Sequence, residues 1–143
     1  MKKVRVISTA AMLALLSVGT MTFMSCDKEC EIGYEGSNCK TLSREKFVGV
    51  WNGTEACTTG NDTYQLTITA AGDEIKLNYS NLYNENYSGQ GTMTGTNTFS
   101  FSGQNGAATW SGTGSIDGSG RLTVTYQIGN GAISNSCTFT GTK

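Results

Sequence analysis

The chain has 143 residues, with 10 Lys and Arg against 11 Asp and Glu, and it contains no His and no Pro. This length accommodates one ordinary domain with short appendages. His is the commonest metal ligand and the commonest general base near neutral pH. Because the sequence contains none, we expect a protein that binds no metal or cofactor and is not an enzyme. From Cys26 onward, seven Lys and Arg stand against eleven Asp and Glu, a net charge of 7 − 11 = −4, which argues against nucleic-acid binding.

Residues 1–25 have the pattern of a signal peptide. A basic start, MKKVR, precedes the apolar run VISTAAMLALLSVGTMTFM. A run of this length could instead remain as a transmembrane anchor. The next letters, FMSC, resemble the lipobox of bacterial lipoproteins, with Phe23 three positions before Cys26 and the small Ser25 just before it. The resemblance implies cleavage after Ser25 and attachment of acyl chains such as palmitate to Cys26, which would anchor the chain to a membrane.

Four further cysteines remain in the exported part, at positions 30, 39, 57 and 137. An even number in an exported chain favours disulfides, and three pairings are open. The stretch CEIGYEGSNC, residues 30–39, resembles the C-terminal hairpin of an EGF-like module, C-x-x-G-[YF]-x-G-x-x-C. That resemblance implies a Cys30–Cys39 bridge and makes residues 26–43 a short stapled tether outside the core. A flexible tether and a metal site are the alternatives.

From Phe47 onward, short alternating segments separated by Gly, Asn and Asp predict an all-β sandwich or barrel over 44–143. In RLTVTYQI the apolar residues take one face and the polar residues the other, typical of a strand buried on one side. The motif S-G-x-G-[TS]-[MI] occurs at 88–93 and 111–116, without the helix and lysine of a phosphate-binding loop, and GSIDGSGRL predicts a hairpin turn around Asp117-Gly118. The eight predicted strands span 47–57, 63–70, 74–79, 87–94, 98–102, 107–116, 121–128 and 134–142.

The stretch FVGVWNGTEAC carries a second resemblance. Gly49-Val50-Trp51 matches the G-x-W that opens the first strand of lipocalins and other calycins. With the lipobox and the half-EGF tether, the chain resembles small lipocalin-like lipoproteins of Bacteroidetes-type bacteria. The resemblance implies an eight-stranded antiparallel up-and-down barrel with Trp51 plugging its closed end. The last strand has no Arg to cover the Trp51 ring, unlike the lipocalin pattern.

Closure of such a barrel pairs the first strand with the last. Cys57 lies near the end of the first predicted strand and Cys137 near the start of the last, on matching faces. An antiparallel seam would bring them together. A bridge there would close a loop of about 80 residues and contribute ~4 kcal/mol in the chain-entropy model.

The aromatic residues assigned to the inner face are the candidate binding residues. They could line a pocket for a small apolar or glycan ligand, or simply fill the barrel, which we favour because eight strands leave little free space. Glu55 would point inward by the same alternation, unless a bulge after Gly53 turned it outward. The predicted pocket residues are Trp51, Tyr64, Tyr79, Trp110 and Tyr126.

Composition and motifs together favour a non-catalytic binding module in the cell envelope, lipid-anchored in the outer membrane on its periplasmic face or at the cell surface. Two alternatives remain. One is a structural or interaction lipoprotein with a filled barrel that meets an envelope or host protein. The other is a secreted-enzyme inhibitor that inserts the Asn-rich loop NLYNENYSGQ, residues 81–90.

Overall fold

The computed structural model describes residues 29–143, so the predicted signal peptide and Cys26 lie outside the described residues. Within that range, the only helix is a four-residue 3-10 turn at Ser43–Lys46, and none is long and apolar enough to cross a membrane. The strands are β1 (Tyr34–Glu35), β2 (Thr41–Leu42), β3 (Gly49–Cys57), β4 (Gly60–Ala70), β5 (Lys76–Leu82), β6 (Tyr87–Met93), β7 (Thr98–Asn105), β8 (Ala108–Ile116), β9 (Leu122–Gly129) and β10 (Ser134–Thr142).

Strands β3 to β10 form a closed antiparallel barrel in which each strand pairs with its neighbours in sequence and β10 returns to pair with β3. This confirms the predicted eight-stranded up-and-down architecture. β10 has the predicted bounds, and the other seven strands overlap their predicted ranges. The alternation of buried and exposed residues along β9 explains why the period-two pattern was informative.

The barrel seam joins β3 to β10 through backbone pairing and through a disulfide. β3 and β10 pair with Cys57 opposite Cys137, and the two sulfur atoms are bonded. The second disulfide joins Cys30 and Cys39 in the N-terminal segment, where β1 and β2 form a small hairpin. Both predicted bridges are therefore present.

The repeated S-G-x-G motif makes room for the ring of Phe99. Gly114 in β8 lies directly opposite Phe99 in β7, and a Cβ added at Gly114 would come within 2.2 Å of the Phe99 ring. A Cβ added at Gly91 in β6 would lie 2.9 Å from the other side of the same ring. The two copies of the motif therefore flank one large side chain, because a barrel this narrow has no other space for it.

One end of the barrel is closed by aromatic side chains and by the side chain of Lys143. Phe47 was predicted to lie on the first strand, but it precedes β3 and packs fully buried against Phe99, with ring centroids 5.1 Å apart. The indole of Trp51 donates a 2.7 Å hydrogen bond to the carbonyl of Phe47. The ammonium nitrogen of Lys143 lies over the Trp51 ring, 4.8 Å from its centroid. The last strand has no Arg to cover this ring, and Lys143 makes the cation–π contact instead.

The N-terminal segment packs against this closed end, which differs from the expected separate spacer. The buried Arg44 guanidinium donates to the carbonyls of Ala71, Asp73 and Lys76 around the β4–β5 loop. Tyr34 hydroxyl donates to Glu74 in the same loop. We therefore define residues 29–46 as the docked stub. Alternation along the sequence could not reveal it, since its contacts are made by loops.

The predicted turn after β8 is present, with its glycines used differently than expected. The Asp117 carboxylate accepts hydrogen bonds from the backbone N–H groups of Ser119 and Arg121, both at 2.9 Å. The Ser119 hydroxyl also donates to this carboxylate. That bond has the largest effect, and together with the backbone bonds it lowers the pKa of Asp117 to about 2. The left-handed residue is Gly120, with φ of 80°, rather than Gly118.

We predict that replacing Cys57 and Cys137 together by Ser lowers the free energy of unfolding by roughly 2–5 kcal/mol, because the open chain gains entropy when the long seam loop is released. Urea denaturation of the oxidised protein measures this loss. The matched control is the Cys30→Ser/Cys39→Ser variant. It should lose measurably less, since its loop is short and the stub lies outside the barrel core. Equal losses in the two variants would contradict the dominance of the seam.

Candidate functional site at the barrel mouth

The end of the barrel opposite the docked stub is its mouth. It is formed by the end of β3, the start of β4 and the loops at 83–86, 106–107 and 130–133. Polar and aromatic side chains gather here, above an apolar interior. This end is therefore the candidate functional site.

Glu55 lies inside the mouth and is only 3% exposed. The register between β3 and β4 runs unbroken from Gly49 to Cys57, so no bulge after Gly53 turns Glu55 outward. Its Oε1 accepts hydrogen bonds from the hydroxyls of Tyr64, at 2.7 Å, and Tyr126, at 2.5 Å. Two hydroxyl donors on one oxygen stabilise negative charge there.

Both tyrosines retain their hydroxyl protons to unusually high pH and therefore remain hydrogen-bond donors to Glu55. Burial raises the pKa of Tyr64 and of Tyr126 above the ordinary value, and the hydrogen bond to Glu55 raises it further. The Tyr64 hydroxyl also accepts from the backbone N–H of Tyr83, at 3.2 Å. The carboxylate is thus connected through Tyr64 to the 83–86 loop.

A second polar cluster is centred on Asn135, which is buried near the start of β10. Its amide donates to the hydroxyls of Thr59, at 2.7 Å, and Tyr83, at 2.9 Å. Its carbonyl oxygen accepts from Thr58. These bonds tie the β3–β4 turn and the 83–86 loop to the seam.

Aromatic rings form a stack from the rim into the barrel. The rings of Tyr83 and Tyr87 are stacked with centroids 6.5 Å apart, and Tyr87 stacks on Trp110 at 4.7 Å. Trp110 is buried and donates a 2.6 Å hydrogen bond from its indole to the hydroxyl of Tyr79. The stack therefore offers half-buried tyrosine faces at the mouth.

A cavity of about 250 Å³ opens at this position. It brings the buried Glu55 together with two exposed acids, Asp62 and Glu85, and with the Tyr83 ring. Its lining residues are Glu55, Cys57, Thr59, Gly60, Asn61, Asp62, Tyr83 and Glu85.

All five predicted pocket residues are buried inside the barrel, but they are divided between its two ends. Tyr64 and Tyr126 meet at Glu55, and Tyr79 meets Trp110, whereas Trp51 lies at the closed end. Interior rings pack on one another: Tyr79 lies 5.0 Å from Phe101, and Tyr64 lies 4.9 Å from Phe139. The five residues belong to one packed core cluster. A ligand pocket lined by all five of them stays a prediction.

Glu55 also lies beside the seam bridge, its carboxylate within 4.8 Å of the sulfurs of Cys57 and Cys137. This grouping has the composition of a metal site. However, the sulfurs are bonded to each other and are not thiolates, so the grouping offers one carboxylate as a metal ligand.

Sequence reasoning did not assign Asn135 to the site, and it placed Tyr83 and Tyr87 in the candidate inhibitory loop 81–90 but not among the pocket residues. Asn135 could have been found, because it lies two residues before Cys137 and so shares its inward face. The role of Tyr83 and Tyr87 depends on a backbone irregularity. The register between β5 and β6 shifts between Tyr79 and Leu82, and Asn81, Tyr83, Asn84 and Asn86 all have positive φ.

No protein-family model matches the chain, and no curated protein matches it by sequence. Among solved structures, the chain is similar to EF1p2_mFAP2b bound to DFHBI, with a TM-score of 0.57 and 13% sequence identity. The match covers 72% of this chain and 99% of that one. At this identity the likeness shows a shared barrel fold.

We predict that the buried tyrosines Tyr64 and Tyr126 do not ionise while the barrel is folded. Burial raises their pKa values above the ordinary 10.0, so the folded state retains protons that the unfolded chain loses. This contribution to stability is complete below pH 10 and falls as the pH rises above it. Absorbance at 295 nm, followed with circular dichroism, should show these tyrosines ionising together with unfolding.

The Tyr126→Phe variant is the control for this titration, since it should reduce the step coupled to unfolding by one tyrosine. Ionisation of all six tyrosines around pH 10 with native circular dichroism would contradict the burial assignment.

Proposed function

We propose that the protein is a lipid-anchored lipoprotein of the cell envelope whose barrel is a non-catalytic binding module for a small ligand. The basic leader, the apolar run and the FMSC motif support the anchor at Cys26. The bridges support export to an oxidising compartment, since disulfides form and persist there. An outer-membrane location, on either face, follows from the resemblance to Bacteroidetes-type lipoproteins.

The observation that carries the binding function is the contrast between the two parts of the barrel. The interior is packed with aromatic and aliphatic side chains. The mouth holds a cavity with a buried carboxylate, amide and hydroxyl groups, and a half-buried tyrosine face. Convergent polar groups beside an aromatic surface are typical of ligand sites. This composition favours a small polar ligand with a ring face, such as a glycan, over a long apolar chain that would need an empty interior.

The position of the stub supports this arrangement. The chain enters the barrel at the closed end, where the stub is docked. A lipid on Cys26, three residues before the first described residue, would therefore attach the closed end to the membrane and leave the mouth accessible.

A second candidate function, as an interaction or inhibitor module, is favoured by the backbone of the 83–86 loop and the end of β5 that leads into it. Positive φ values at four non-glycine residues are uncommon, and they persist where the surroundings hold the backbone. Here the Asn135 amide and the Tyr64 hydroxyl hold the loop at Tyr83. A loop fixed in this way is pre-organised to contact a protein partner.

We predict that Cys26 is acylated. Metabolic labelling with a palmitate analogue should mark the wild-type protein, and the Cys26→Ser variant should show no incorporation and should not fractionate with membranes. The Cys30→Ser variant serves as the control and should label normally. Persistent labelling of the Cys26→Ser protein would contradict the lipoprotein assignment.

We further predict that small ligands bind at the mouth and not in the interior. Amide NMR spectra recorded with N-acetylglucosamine and small amines should place ligand-induced shifts at residues 59–62 and 83–86, whereas the long-chain anion dodecanoate should cause none there. Tyr83→Ala should weaken binding at least severalfold through loss of its ring face. Tyr34→Ala, at the closed end, is the control. Shifts confined to interior residues of β7 and β9 would contradict the mouth as the site.

A further inference from the structure

Charged residues are divided unevenly between the two ends of the barrel. All six Lys and Arg of residues 29–143 lie in the docked stub or at the closed end of the barrel: Lys40, Arg44, Lys46, Lys76, Arg121 and Lys143. The mouth cavity is lined by three carboxylates and no cation of the described chain. Its potential is therefore negative, which raises the local concentration of positively charged solutes.

Glu55 is the buried member of this group, and its charge has no cationic partner among the described residues. Both of its hydrogen bonds fall on Oε1, and Oε2 receives none from residues 29–143. Among the described residues, Ser43 Oγ is the one buried side-chain oxygen or nitrogen without a partner, so Glu55 Oε2 is open to the cavity, where an opposite charge can compensate the largely buried carboxylate. The two tyrosine hydroxyls supply hydrogen bonds but no opposite charge.

Tyr83 adds a second feature that suits a cation. Its ring lines the same cavity and stacks on Tyr87, and tyrosine faces attract ammonium groups placed within about 6 Å of the ring centre. The cavity volume of about 250 Å³ falls just below the range of about 300–1,000 Å³ occupied by drug-sized ligands. The site is therefore suited to a small molecule.

We propose that the mouth cavity selects a small organic ammonium ion, with the cationic group directed at Glu55, Asp62 and Glu85 and the organic body against Tyr83. This inference rests on the proposed ligand-binding function and adds the sign of the ligand's charge. Amino sugars and aromatic amines both fit the class. A bare divalent metal ion would use the carboxylates without the aromatic ring.

The test is a charge series on one molecular frame. Benzylammonium, benzyl alcohol and benzoate are titrated separately into the oxidised protein and followed by amide NMR shifts at residues 59–62 and 83–86. We expect saturable binding of benzylammonium, binding of benzyl alcohol at least about tenfold weaker, and no binding of benzoate. The affinity for benzylammonium should fall as ionic strength rises, because salt screens attraction between charges.

Variants separate the carboxylates from the fold. Glu55→Gln keeps an oxygen for the tyrosine hydroxyls and removes the charge, and it should weaken benzylammonium binding about tenfold or more. Asp62→Asn and Glu85→Gln change exposed residues, and each should weaken binding about two- to fivefold. These two variants keep the test valid if Glu55→Gln does not fold. Glu31→Gln, an exposed carboxylate of the stub, is the matched control and should bind as wild type.

Several results would overturn the inference. Benzyl alcohol or benzoate binding at the mouth as tightly as benzylammonium would remove charge selection and leave the mouth as a ligand site. No saturable shift with benzylammonium would also refute it, whether or not neutral saccharides bind there. Calcium chloride competing with benzylammonium at micromolar concentration, with Tyr83→Ala unchanged, would identify a metal site instead.

Discussion

Pairing between β3 and β10 is the constraint on which this structure depends. It joins segments at opposite ends of the barrel sequence and converts an open sheet with two free edges into a closed barrel. It also fixes the register at the mouth, because the bridge between Cys57 and Cys137 lies two residues beyond Glu55. The position of Glu55 between Tyr64 and Tyr126 follows from that register: β4 supplies one tyrosine from one side and β9 supplies the other from across the seam strand β10.

The barrel and the mouth have different compositions for a physical reason. Eight strands enclose a space that side chains fill, and the glycines opposite Phe99 show how little remains. The two buried side chains of the barrel strands that carry a carboxylate or an amide lie near the mouth, where each finds partners: Asn135 bonds to three hydroxyls and Glu55 to two. The mouth is thus the part of the interior where chemistry other than packing is possible.

Much of the fold could be predicted from the sequence, because each barrel strand is buried on one face and therefore alternates. The stretch SNSCTFTGT alone specified the bounds of β10, and the positions of Cys57 and Cys137 specified the seam. The site was less accessible to this reasoning. Tyr83 and Tyr87 depend on a register shift in β5 and on left-handed backbone at asparagines, which no alternation encodes. Arg44 contacts loop carbonyls and Lys143 lies over Trp51. Both are long-range contacts of residues outside the strands, so strand alternation could not predict them either.

The ring of Phe99 and the backbone of Gly114 occupy one shared volume, since a single added carbon at position 114 would overlap the ring. Neither position is free to change alone: a methyl group gained at 114 requires atoms lost at 99, and a smaller residue at 99 leaves a void beside 114 that a larger one could fill. Related chains are therefore expected to vary at these two positions in concert, with the sum of the side-chain volumes held nearly constant. Such paired variation would identify β7 and β8 as neighbours from sequences alone.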